Sequence, residues 1–286
     1  MSHQSQTTTL PSALYLVATP IGCVDDITLR ALRVLATVDR IYAEDTRVTG
    51  QLLSHHHVRT PMTSLNAHSE EAKAPHVIAL LQAGQAIALV SDAGTPAISD
   101  PGRVLVAACH AAGFQVVPIP GASAVTALAS VAGLPASPFQ FIGFLPSKGA
   151  ARRRALDDAL QYAGSTLLYE APHRMKDLAT LLAELVPDRA VCIGREMTKT
   201  YEEVVTLPAG SLPAWLHARP DRIRGEFAVM VAPSPTPQAA TAFDANRLLT
   251  ALAAVLPPSK AASVTAELTG QSKRTLYAQL TSSVEQ

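Results

Sequence analysis

The sequence predicts an α/β protein, with two α/β domains at 13–133 and 134–233 and a small helical module at 244–286. Three observations carry this. Short apolar runs alternate with helix-spaced stretches as far as residue 133, the pattern of a parallel sheet covered on both faces. After GLPASP (133–138), several strand-like segments follow one another without a helix between them, which points to a partly antiparallel sheet. PSPTPQAATA (233–242) has the composition of a linker, and the stretches beyond it have helical spacing.

Taken in order, MSHQSQTTTLPS (1–12) is polar, lacks a basic-then-apolar signal pattern, and is expected to be a disordered tail. ALYLVA (13–18), RIYAE (40–44), AIALV (86–90) and QVVPI (115–119) are expected strands, with helices at ITLRALRVLATV (27–38) and RVLVAACHAAG (103–113). In the second domain FQFIGFLP (139–146), STLLYEA (165–171), AVCIGRE (190–196), EEVVTLP (202–208) and GEFAVMVA (225–232) are expected strands. ARRRALDDALQYA (151–163) and MKDLATLLAELV (175–186) are expected helices. The linker is placed at 234–243. Beyond it come DANRLLTALAAVL (244–256), SKAASVTAELTG (259–270) and SKRTLYAQL (272–280). The first carries an apolar face of Leu248, Leu249, Leu252, Val255 and Leu256, and Gly270 separates the other two. That outline suits a helix-turn-helix; a structural cap or dimer contact is the other reading, and both stay open.

The 48% apolar fraction supports real cores, and formal net charge is zero, so any nucleic-acid contact must come from local patches. No run reaches the 18–20 apolar residues of a membrane span. Cys23, Cys109 and Cys192 are too dispersed for a disulfide framework or a zinc site, and a reducing cytoplasm fits. His55, His56 and His57 are adjacent and cannot share one helix face, so no metal site is expected.

Four segments follow predicted strands: VATPIG (17–22), AEDTR (43–47), SDAGTP (91–96) and PGASA (120–124). All four turn on small residues. In an open α/β sheet ligands bind beyond the carboxyl ends of strands, and small side chains let them approach the backbone. Asp92 adds an acceptor for ribose hydroxyls or an amine. A dinucleotide is the obvious candidate, but the first turn reads TPIGCVDD, without the glycines that bring a pyrophosphate close, and no phosphate loop is present. Uncharged turns suit a ligand with adenosine and an amino acid but no phosphate, such as S-adenosylmethionine.

VATPIG, DITLRAL, AEDTR, SDAGTPAISDPG, PIPGASA, GFLP, YEAPHR, REMTKTYEE and GEFAVMV occur in this order. Together they resemble the ribosomal RNA small subunit methyltransferase I family, of the tetrapyrrole methylase superfamily. The resemblance covers about 13–233 and more weakly the last helices. It implies two α/β domains with S-adenosylmethionine in the cleft between them, a homodimer, and methylation of a cytidine 2′-hydroxyl in the decoding region of 16S rRNA on the small ribosomal subunit. It also implies cofactor contacts from Pro20, Ile21 and Gly22; from Asp92, Ala93, Gly94, Pro96, Ile98 and Ser99; from Ser123 and Ala124; from Tyr169, Glu170 and Ala171; and from Glu226 and Phe227. Cys23-Val24 stands where the family usually has Asn-Leu, which removes a side-chain amide.

Methyl transfer from a sulfonium needs positioning above all, and a sugar hydroxyl benefits from a base or a neighbouring cation. Asp25, Asp26, Glu44, Asp45, Asp100, Glu170, Glu196 and Lys199 are candidates among which the sequence does not choose. Lys148, Arg152, Arg153 and Arg154 cluster near a helix start, where cations oppose the helix dipole, so phosphate contact is the expected role beside that of a solvated face. Lys273 and Arg274 open the last helix and are expected RNA contacts. Two other readings compete: a superfamily enzyme acting on a corrinoid or on a diphthine-type histidine, and a non-enzymatic nucleic-acid-binding regulator. TPIG, AEDTR and the terminal helices argue against the first, and the cleft motifs against the second.

Overall fold

A computed structural model describes residues 10–234 and 245–282. The chain forms two compact units that divide after Pro233. The expected tail segment 1–9 and the linker segment 235–244 lie outside the described residues. The tail ends earlier than expected: Leu10 packs on the core, and the Ser12 hydroxyl donates to the carbonyls of Leu81 and Gln85.

The first sheet contains β1 (Leu14–Val17), β2 (Arg40–Ala43), β3 (Met62–Ser64), β4 (Ile87–Val90) and β5 (Val116–Ile119) in the order β3-β2-β4-β1-β5. All its pairings are parallel. α1 (Leu29–Thr37) and α2 (Thr46–His55) cover one face; α3 (Glu70–Gln82) and α4 (Arg103–Ala111) cover the other. Every residue of the central strand β4 is buried, as expected where both faces are covered. Pro118 is tolerated because β5 is an edge strand, where a missing N–H costs no ladder bond. The edge strand β3 went unpredicted: three residues after Pro61 leave no periodicity to read.

The helix after β1 and the helix after β4 lie on opposite faces, and β1 and β4 are neighbours. The sheet therefore has its topological switch point there, where a crevice opens beyond the strand ends.

The second sheet has the order β6-β7-β10-β8-β9, from β6 (Phe139–Phe144), β7 (Ser165–Glu170), β8 (Ala190–Arg195), β9 (Glu203–Pro208) and β10 (Phe227–Val231). Only β6 and β7 pair in parallel; the rest are antiparallel. α6 (Gly149–Leu160), α7 (Met175–Leu185) and α8 (Leu212–His217) cover one face. The other face is covered by α5 (Ala124–Val131), whose Val125 and Leu128 pack on Leu167, Cys192 and Met230. That helix was expected in the first domain, with a boundary at 133. Its packing moves it to the second sheet, because its apolar side finds an uncovered sheet face there. In the other unit α9 (Ala245–Ala253), α10 (Pro258–Thr269) and α11 (Lys273–Ser282) enclose Leu249, Ala261, Ala262 and Leu276, and Gly270 takes the left-handed cap conformation between the last two.

The link from β4 to α4 is the sequence SDAGTPAISDPG. Its reversal needs positive φ at Gly94 (76°), Ala97 (65°) and Gly102 (138°). A Cβ at Gly102 would lie 2.8 Å from Leu89 Cδ2 and 3.0 Å from Ala97 Cβ. The buried Glu70 carboxylate accepts from the Gly102 and Leu105 N–H groups at 3.0 and 2.9 Å and so caps α4 from another helix. Glu70→Ala leaves two buried donors unpaired. The expected loss is about 3 kcal/mol, read as a lower urea midpoint for the full chain.

Candidate cofactor cleft

A cavity of about 370 Å³ lies between the ends of the two sheets, within the first unit. Its first wall comes from the turns after β1, β4 and β5. The turns after β1 and β4 are joined by a two-residue antiparallel bridge: Thr19 N–H donates to Gly94 O at 2.9 Å, and Gly94 N–H returns to Thr19 O at 3.0 Å. The Thr19 hydroxyl adds a bond to Ser91 O, and the Thr95 hydroxyl one to Ala122 O, which brings in the turn after β5. These bonds present Ile21, Ala93, Gly94, Ile98, Ser99, Asp100, Ser123 and Ala124 to the cavity.

The second wall comes from β7, β8 and β10. Tyr169, Glu170, Ala171, Glu226 and Phe227, all expected cofactor contacts, line it. Phe144, Pro172, Gly194, Met197 and Ala228 also line it and were not foreseen, nor was Thr95. Gly194 is legible only in three dimensions: a Cβ there would sit 2.7 Å from Met197 Sδ and 2.9 Å from Leu128 Cδ1. Four implied contacts do not line the cavity. Pro20 and Pro96 are buried in their turns. Asp92 Oδ1 instead accepts the Asp45 N–H at 2.9 Å, so AEDTR forms a layer behind the first wall. Gly22 meets the opposite half of the unit, where a Cβ would come 2.5 Å from Thr198 Oγ1 and 2.6 Å from Lys199 Cγ. The Cys23 N–H donates to the Thr198 hydroxyl at 3.0 Å, so position 23 engages through its main chain.

That 196–199 turn has positive φ at Glu196 (50°) and Thr198 (63°), which is strained backbone beside the cavity. Lys199 Nζ lies 3.2 Å from Glu196 and 2.8 Å from Glu226. Burial opposes the Glu196 charge, but the Glu226 N–H and Lys199 outweigh it and hold its pKa below the usual carboxylate range. Burial would likewise lower Lys199, but Glu226 and Glu196 outweigh it and raise its pKa. Asp45 hydrogen-bonds Arg47, which holds its pKa down to about 2. Asp25 and Asp26 sit on an exposed turn away from the cavity. Burial, then Asp100 and Asp92, raises Glu44; burial, reinforced by Asp100, raises Tyr169.

Arg152 corrects the expected phosphate cluster. It is buried, and its guanidinium pairs with the fully buried Glu170 carboxylate. Arg174 reaches the other Glu170 oxygen at 2.7 Å, and the Ala171 N–H donates to that same oxygen at 2.8 Å. The two arginines also donate to Pro146 O and Leu145 O. A cation near a helix start is thus explained by a buried anion below it, a partner 18 residues away that a local reading cannot see. Lys148, Arg153 and Arg154 are exposed, and Arg153 makes a half-exposed pair with Glu184 at 2.6 Å. Lys273 and Arg274 are exposed at the start of α11.

No lysine or arginine is among the residues that line the cavity, whereas Asp100, Glu170 and Glu226 are. Glu170 and Glu226 are ion-paired, so the charge preference rests on Asp100, which is unfavourable for a phosphate and favours a cationic ligand. An adenosyl sulfonium bearing an amino acid fits in charge and size: Ile21, Gly94, Ser123, Tyr169 and Phe227 would flank it.

Residues 13–213 match the family model for Tetrapyrrole (Corrin/Porphyrin) Methylases, and residues 239–282 match that for the RsmI C-terminal HTH domain. The chain is 45% identical over 265 residues to the ribosomal RNA small subunit methyltransferase I of Escherichia coli O157:H7, covering 92% of this chain and 93% of the relative. The fold is similar to that of a cobalt precorrin-4 methyltransferase (TM-score 0.59, 17% identity, 81% of this chain and 98% of that one). It is also similar to a uroporphyrin-III C-methyltransferase from Thermus thermophilus, solved with S-adenosylhomocysteine (TM-score 0.54, 18% identity, 77% and 97%).

Arg152→Ala leaves Glu170 buried with one guanidinium and is expected to cost roughly 2–3 kcal/mol, whereas Arg154→Ala should stay within about 0.5 kcal/mol. Denaturant titration of both variants checks the assignment. Gly22→Ala should drive the 196–199 turn away from the first wall and lower ligand affinity, read by calorimetry.

Proposed function

The chain belongs to the ribosomal RNA small subunit methyltransferase I family of the tetrapyrrole methylases, and we propose that it transfers a methyl group from S-adenosylmethionine to the 2′-hydroxyl of a cytidine in the decoding region of 16S rRNA. The observation that carries this is the cavity between the two sheets, lined without lysine or arginine and bearing the Asp100 carboxylate, in a chain 45% identical to a ribosomal RNA small subunit methyltransferase I.

S-adenosylmethionine supplies an already activated methyl group. The protein's part is to hold the donor between the two walls, exclude water, and admit one ribose hydroxyl at the mouth. Ile98 and Phe144, 61% and 53% exposed, give that mouth apolar faces on which a nucleoside can rest. Lys148, Arg153 and Arg154 on the first unit and Lys273 and Arg274 on the helical module are the proposed phosphate contacts. We place the protein in the cytoplasm as a homodimer acting on the small subunit; among the described residues no helix is long and apolar enough to cross a membrane.

Labelled donor incubated with small subunits that lack the modification should mark one cytidine, and alkali should no longer cleave at that ribose. Label on a base, on protein or on a corrinoid would overturn the reading. Replacing Lys148, Arg153 and Arg154 together with Ala should flatten the salt dependence of RNA binding by about 2 logarithmic slope units, with donor affinity unchanged. Truncation after Pro233 should spare donor binding and weaken RNA binding.

A further inference from the structure

We propose that Asp100 is the general base of the reaction, the carboxylate that takes the proton of the acceptor 2′-hydroxyl. The assignment rests on the methyl-transfer reading above and selects one group from eight. Three carboxylate residues line the cavity. The Glu170 oxygens are occupied by Arg152, Arg174 and the Ala171 N–H, with no side-chain exposure. Glu226 lines the cavity but is tied to Lys199. Asp100 is partly exposed, and among the described residues no hydrogen bond or salt bridge reaches its carboxylate. The remaining candidates do not line the cavity: Asp25 and Asp26 on their exposed turn, Glu44 at the end of β2, Asp45 on Arg47, Glu196 and Lys199 on each other.

The surroundings suit the role. Asp100 follows Ile98 and Ser99, both exposed, so it stands where the cavity meets solvent and an acceptor can enter. The titratable groups facing it are Asp92 on its own turn, Glu44 at the end of β2 and Tyr169 on β7. None of them is a cation. Burial, with Asp92 adding to it, raises the Asp100 pKa above the ordinary carboxylate value, which makes it a stronger proton acceptor than a surface aspartate. In the step, the 2′-oxygen proton passes to Asp100 as the new O–C bond forms. The donor's C–S bond breaks with its electron pair left on sulfur, and Asp100 then returns the proton to solvent.

The sign of the pH dependence follows. The deprotonated form is active, so the rate falls as pH drops through a pKa above the usual aspartate value. Asp100→Asn, nearly the same size, should slow single-turnover transfer to small subunits by at least about a hundredfold and abolish that acid limb. Its calorimetric affinity for S-adenosylmethionine should fall far less than the rate, by about tenfold at most, the loss expected when one carboxylate of the lining is neutralised. Asp100→Glu should keep part of the rate. A rate for Asp100→Asn within about threefold of wild type overturns the assignment, as does a loss of donor affinity equal to the loss of rate, since the carboxylate would then hold the donor. If thermal melting shows Asp100→Asn unfolded, the wild-type profile decides: a rate flat from about pH 4 to 8 overturns the assignment. A wild-type chain that marks no rRNA sinks the methyl-transfer reading itself; one that marks rRNA while Asp100→Asn does so equally sinks the base alone.

Discussion

The site depends on how closely two backbone turns approach at the switch point of the first sheet. Thr19 and Gly94 exchange both main-chain hydrogen bonds, so the turns after β1 and β4 behave as one rigid surface. At Gly94 the requirement is conformational, a φ of 76°, since a Cβ there would meet nothing closer than 3.5 Å. The contact also requires the β4–α4 link to reverse within a few residues, which the positive φ values at Gly94, Ala97 and Gly102 allow. Glu70 then ties the end of this link to α3, so the turn that carries Asp100 is anchored at both ends. The geometry of this wall follows from the sheet and its turns rather than from flexible side chains.

The architecture was legible because it is written in apolar periodicity. Runs such as IALV and FAVMV are buried on both faces, and their uninterrupted hydrophobicity says so directly. The turns were legible because small residues cluster after each strand. What escaped was information held between distant residues. Arg152 looked like a phosphate ligand because its partner, Glu170, lies on another element. Gly22 looked like a ligand contact, whereas it makes room for Thr198 and Lys199. The α5 helix carries the same apolar spacing wherever it packs, so only the exposed face of the second sheet could reveal which core it joins. Phe144 and Met197 lie inside the motifs GFLP and REMTKTYEE, but an aromatic at a strand end and a methionine in a charged turn are not singled out within them.

The charge layout separates two tasks. The charge nearest the cavity balances only as a whole: Arg152 and Arg174 share the single Glu170, whereas Lys199 has both Glu196 and Glu226, three cations against three carboxylates. Lys148, Arg153 and Arg154 are exposed and lie outside the cavity lining. The cavity's preference for a cation and the proposed preference of that exposed patch for a polyanion then rest on different groups. Zero net charge is compatible with this because both preferences are local.

The buried Glu170 network shows how the outer surface and the cavity are mechanically joined. Its two arginines donate to Leu145 O and Pro146 O, in the segment between β6 and α6. That segment begins at Phe144, on the cavity mouth, and leads within a few residues to the exposed Arg153 and Arg154. Glu170 itself ends β7, next to Ala171 and Pro172 on the cavity wall. A buried pair of this kind contributes little net stability against an apolar alternative, because two desolvated charges offset their own attraction. What it does supply is directional bonds that fix the lip at one height relative to the wall. An apolar replacement would fill the same volume but leave the Leu145 and Pro146 carbonyls without those guanidinium donors. The mouth of the cavity, where an acceptor must meet the donor in line, would then lose its fixed edge while the core beneath it stayed packed.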